Sequence, residues 1–155
     1  LAQLLWDRGE NQGYAQHLTS DPYEGFAAKP ILLIGAFGDH QVANVATDVF
    51  ARTIDAAIHR PALAEGRSAQ LDPYWGIKSI GAESTDQASY VMWDYGTPEA
   101  PADNTWPTED VHGEDPHGAG SEEPGVLQQA LGFLLTGELN IACGGPCVGR
   151  QINDS

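Results

Sequence analysis

A chain of 155 residues is long enough for one ordinary domain with a sizeable core. Its hydrophobic content of 41% is ordinary for a globular protein, and no apolar run approaches the length of a membrane span. Asp and Glu number 22 against 7 Lys and Arg, and the formal net charge of -15 argues against nucleic acid or anionic lipid as a partner.

This balance reads as the solubilising surface of an exported or salt-adapted protein rather than as a dedicated cation site. Residue 1 is Leu, and "LAQLLWDRGE" reads as a helix tail without a targeting segment, so a processed chain or a C-terminal fragment of something longer is expected. Residues 7–30 are rich in Gly, Asp, Pro and Gln and read as irregular surface. Residues 31–36 are a continuous apolar run bounded by Pro30 and Gly38, which predicts a parallel strand buried on both faces. From Val42 the period changes. Val42, Val45, Ala46, Val49, Phe50, Ile54, Ala57 and Ile58 predict the buried face of a helix of about four turns, closed by Pro61.

Residues 60–87 are mixed, with a short strand expected at 76–80. "ASYVMWDYG" at 88–96 is rich in aromatic and β-branched residues and predicts the next strand. The stretch 97–125, crowded with Pro, Gly and acids, predicts a long loop of the functional or disordered kind. A last helix follows, with Pro124 in its first turn and Leu127, Ala130, Leu131, Leu134 and Leu135 on its expected buried face, ending at Gly137. The order of elements predicts an α/β layer: a lead-in at 1–30, strand, helix, strand and helix over 31–137, and a tail at 138–155.

That tail carries both cysteines, in "CGGPC". Two sulfurs make a poor zinc site, and redox dithiols use the shorter C-x-x-C spacing. The intervening Gly-Gly-Pro makes a tight turn, so a local Cys143–Cys147 disulfide is the preferred reading, with a reduced, inert pair as the alternative. A disulfide would imply an oxidising compartment.

In open α/β sheets, ligands and catalytic groups gather beyond the carboxyl ends of the strands. Asp39 and His40 follow the first strand, and His112 and His117 lie in the long loop after the later one. If those strands are parallel, both loops emerge on one edge, and an acid from one can orient an imidazole from the other. A carboxylate that fixes a histidine tautomer leaves the second ring nitrogen free as a general base. These are the last two members of an acid–base–nucleophile triad.

With these features in place, residues 29–137 resemble the C-terminal half of an α/β-hydrolase. The wording "GDHQVAN", the "DPHG" box at Asp115–Gly118 and the terminal "CGGPC" are similar to a group of exported bacterial hydrolase-like proteins. The resemblance implies Asp39 as triad acid and His117 as base, with His112 as second choice, and a small ester-type substrate. The family's G-x-S-x-G elbow is absent, and Ser121 in "GAGSEEPG" has its glycines at the wrong offsets and follows the histidines. The nucleophilic serine is therefore expected in a missing N-terminal portion or a partner chain, and this chain alone should be inactive. A non-catalytic cell-surface or assembly protein on a hydrolase scaffold, with acidic loops suited to binding cations, is the rival reading.

Simpler roles stand beside these. Asp39 could cap the following helix. His40 reads as a neighbour of the site, His17 and His59 as surface, and Trp75, Trp93 and Trp106 as core or loop anchors. Asp103, Glu109, Asp110, Glu114 and Asp115 offer hard oxygen ligands for calcium, with Asp110, Glu114 and Asp115 the better candidates, but their spacing matches no known calcium loop. Gly113 and Pro116 forbid the helix that would align His112 and His117 for zinc. No other cofactor is expected.

Overall fold

A computed structural model describes residues 5, 6, 8–80, 87–103, 105–141 and 143–153. Its core is a sheet of β1 (Ile31–Ala36), β2 (Ala57–Ile58), β3 (Lys78–Ser79), β4 (Ala88–Asp94) and β5 (Cys147–Val148). The order is β1-β4-β2-β3, with β5 pairing the far end of β4, and all of these pairings are parallel. Helices α1 (Asn44–Thr53), α2 (Glu109–His112) and α3 (Pro124–Thr136) complete the set. The architecture is thus α/β, as the alternation of periods predicted.

The apolar run at 31–36 becomes β1 within the expected bounds, because Pro30 and the positive-φ Gly38 punctuate it. Side chains alternate across it. Ile31 and Leu33 join a core with Ala51 and Ile54 of the α1 segment, while Leu32, Ile34 and Ala36 join a second core with Val126 of α3. The two helices therefore cover opposite faces of the sheet. Central β4 is buried at all seven positions. β1 is mostly half-buried, because no strand among the described residues lies on its outer side.

Several expectations fail for physical reasons. The helix expected to run to Ile58 stops at Thr53; Asp55 takes a positive φ, and Ala57 and Ile58 leave to pair with β4. α1 buries Asp48 and Ala51, whereas Val42, Val45 and Val49 stay exposed. α3 likewise buries Val126 and Gln129 and leaves Leu127, Leu131, Leu134 and Leu135 exposed. Hydrophobic period locates an apolar face but says nothing of what covers it. Residues 11–18, read as irregular, form a 3-10 helix. Of the expected helix tail at 1–10, Leu5 and Trp6 are helical, and residues 1–4 and 7 lie outside the described residues, as do 81–86 of the mixed stretch.

The stretch 97–125 is pinned rather than slack. Arg67 donates to both oxygens of buried Asp94 and to the Thr97 carbonyl. Thr97, fully buried, donates its hydroxyl proton to the Glu114 carbonyl and accepts from Asn153. Glu99 gathers Ser68, Ala69 and Gln70. Cys143 and Cys147 form a disulfide that closes the tail beside β4. His59, expected on the surface, is half-buried and its Nε2 donates to the Gly145 carbonyl inside that disulfide loop. Trp93 is a core anchor bonded to Gln129, but Trp75 and Trp106 are exposed.

Candidate active site

Gly38 turns the chain sharply at the carboxyl end of β1. Its φ is +80°, and a Cβ there would collide with the Pro98 carbonyl, so glycine is required at the position that aims Asp39. Asn44 locks the turn from the other side, accepting from the Gly38 amide at 3.0 Å and donating to the Ala36 carbonyl at 2.7 Å. Asp39 then accepts at Oδ1 from the amides of Gln41 and Val42, both at 2.8 Å. This is an Asx-type turn rather than the helix cap considered from sequence, since Ala43 holds the cap position of α1.

The long loop brings His117 onto the same carboxylate. His117 Nδ1 lies 2.9 Å from Asp39 Oδ2 and 3.2 Å from Oδ1, across 78 residues of sequence. Asp39 is buried, while the His117 side chain is 41% exposed. With Nδ1–H donating to the acid, the neutral ring carries its lone pair on Nε2, which has no hydrogen-bond partner among the described residues. The hydrogen bond to Asp39 raises the His117 pKa above the ordinary 6.5; partial burial opposes this, and the charges of Asp39 and Asp115 add to it.

Asp115, one of the acids whose oxygens could have suited calcium, serves as a brace. Its Oδ1 accepts from the amides of His40 (3.2 Å) and His117 (3.0 Å), and its Oδ2 accepts from the Gln41 side chain (2.9 Å). Burial works to raise this carboxyl, and those three hydrogen bonds together with the nearby His40 bring it below the usual range. Its oxygens thus tie the acid loop to the histidine loop. Among the described residues, no three His, Cys, Asp or Glu side chains converge as metal ligands would. Asp110 is exposed on α2, and the Glu114 backbone is tied to Asn153 and Thr97.

The second-choice histidine goes elsewhere. His112 accepts at Nδ1 from the Thr108 amide and meets His40 edge to face at 6.4 Å. His40 is itself buried, its Nε2 without a partner among the described residues. The structure therefore joins Asp39 to His117 and not to His112. Gln41, Asn44 and Asp115 were missed as supports; short polar residues clustered after a strand and a glycine are the signal that could have found them.

A groove of about 230 Å³ opens beneath His117. Ile34, Gly35 and Ala36 of β1 lie along it, with Val42 and Thr47 on one side of the sheet and Tyr95 and Gly120 on the other. Comparison with family models, with curated proteins and with solved structures returns no match. Among the described residues, no helix is long and apolar enough to cross a membrane.

Proposed function

We propose that this chain supplies the acid and the base of a serine-dependent ester or acyl hydrolase, with Asp39 orienting His117 and the serine arriving from an N-terminal portion or a companion chain. The carrying observation is the 2.9 Å contact between His117 Nδ1 and a buried carboxylate held by two backbone amides. In this role Asp39 selects the tautomer and stabilises the imidazolium, while Nε2 takes the serine proton and returns it to the leaving group. The raised pKa suits a base that must hold a proton transiently. The resemblance of residues 29–137 to the second half of an α/β-hydrolase supports the same reading, and the disulfide supports an exported, oxidising location.

The test is a fluorophosphonate probe on the intact protein. Labelling of an elbow serine is expected, with the rate falling by about 10³-fold or more in His117→Ala and Asp39→Asn. An intact protein or complex without a G-x-S-x-G serine, or labelling indifferent to both substitutions, contradicts the proposal. The exposed valines of α1 and leucines of α3 favour one rival, a non-catalytic cell-surface or assembly protein on the same scaffold. That rival requires no labelling at all.

A further inference from the structure

Asp115 sets where both loops of the site lie, because its Oδ1 receives the amides of His40 and His117. Glu114, the residue before it, is fixed through both of its backbone groups. Its amide donates to Asn153 Oδ1 at 2.7 Å, and its carbonyl accepts from the Thr97 hydroxyl at 2.8 Å. Asn153 Nδ2 donates to that same hydroxyl oxygen at 3.0 Å, which closes a ring of hydrogen bonds. Thr97 is fully buried, so water competes little for its bonds. Gly113 has a φ of +76°, and a Cβ there would collide with Asn153 Oδ1, so glycine lets that side chain in. On the far side of Asp115, Pro116 is fully buried. The segment that delivers Asn153 is itself tied to the end of β4. Cys147 and Val148 pair with Trp93 and Asp94, the Gly149 amide donates to the Asp94 carbonyl, and the Ile152 amide donates to the Tyr95 carbonyl. The Arg150 amide donates to Glu123, which caps α3. Asn153 is thus an exposed residue whose amide, and not its burial, connects the C-terminal segment to the histidine loop.

We infer that Asn153 is a positioning residue for His117, holding the histidine loop against the acid loop through Glu114 and Asp115. An amide suits this place because it accepts from Glu114 and donates to Thr97 at once. Without it the Glu114 amide turns to water and the Glu114–Asp115 backbone gains freedom. The His117 ring then spends less of its time against Asp39. That this positioning serves catalysis rests on the hydrolase reading; the positioning itself is read from the ring and needs no turnover.

The experiment is a histidine-ring NMR titration of the wild-type chain and of Asn153→Ala, Thr97→Val and Thr97→Ser, with Asp39→Asn as the unpaired reference. The hydrogen bond to Asp39 holds the His117 midpoint above 6.5 in the wild type. Asn153→Ala and Thr97→Val are expected to lower that midpoint toward the Asp39→Asn value. Thr97→Ser, which keeps both hydroxyl bonds, is expected to keep the wild-type midpoint. In Asn153→Ala the Glu114 amide should also exchange about 10-fold faster, as the loss of one hydrogen bond implies. The circular dichroism of Asn153→Ala should match the wild type, because the residue is exposed. An unmoved His117 midpoint in Asn153→Ala overturns the inference, whatever the Glu114 amide does. An Asn153→Ala chain that fails to fold overturns it too, because the role is then structural. A fluorophosphonate on the intact protein separates the two readings. A lowered midpoint without labelling keeps the positioning and removes the hydrolase reading, and labelling with an unmoved midpoint does the reverse.

Discussion

β1 and β4 lie side by side in parallel register, yet one is buried at all seven positions and the other is mostly half-buried. Around β4 the chain supplies every partner it needs. Strands flank it on both sides, the Arg67–Asp94 pair closes its end, and the disulfide loop adds β5. Around β1, no strand among the described residues pairs the outer side, and valines of α1 and leucines of α3 are exposed. The Asp39–His117 pair sits at the end of this second, open strand. The contrast teaches that the Asp39–His117 pair stands at the end of the less covered strand, while its neighbour β4 holds the centre of the core.

The largest effect should separate the two regions outright. Met92→Ala in β4 removes a side chain that is 1% exposed and is expected to cost about 2–5 kcal/mol in urea denaturation. Leu134→Ala removes a leucine that is 79% exposed and should stay within about 0.5 kcal/mol. Equal costs would break the comparison. Next comes the closed end of β4. Arg67→Ala leaves the buried Asp94 carboxylate without its paired donors and should cost about 3 kcal/mol. Adding Asp94→Asn should recover part of that loss, which a double-mutant cycle measures.

A smaller effect sharpens the comparison from beneath α1. Burial lifts the Asp48 carboxyl to about 6, against the attraction of Arg52 and the hydrogen bond from Tyr90. Its folded pKa lies above the unfolded value of 3.8, so the folded state holds the proton more tightly, and stability falls as pH rises between those values. Asp48→Asn keeps an acceptor for the Tyr90 hydroxyl. It should raise stability by about 1–3 kcal/mol near pH 8 and change little near pH 3.5, which thermal melts at the two pH values check.

Much of this was legible in the amino-acid order. The run at 31–36 announced a strand because Pro30 and Gly38 bound it, and the placement of Asp39 and His117 past two strands announced their meeting. Two-residue strands such as β2 and β5 carry no period to read, and they form only because β4 offers them a ladder. The leucine stripe of α3 was read as buried because amphipathic spacing is the same whether a face meets its own core or another chain. Acid-rich composition hid the role of Asp115, whose oxygens serve backbone amides rather than an ion. The stretch 97–125 read as a functional or a disordered loop, and the sequence does not choose between them because its order comes from single residues, Thr97, Asp115 and Asn153, bonding to distant backbone and side chains.

The pairing of Asp39 with His117 has its own pH signature. A histidine whose folded pKa is raised adds stability in full below its ordinary 6.5, and that contribution is lost as pH rises through the folded value. The most direct measurement follows the His117 ring by NMR through a pH titration, in the wild-type chain and in Asp39→Asn, which still accepts from the Gln41 and Val42 amides. The wild-type midpoint should lie above 6.5, and the substitution should lower it, because the carboxylate that favours the charged ring is gone. An identical His117 midpoint in both proteins would contradict the pairing on which the proposed chemistry rests.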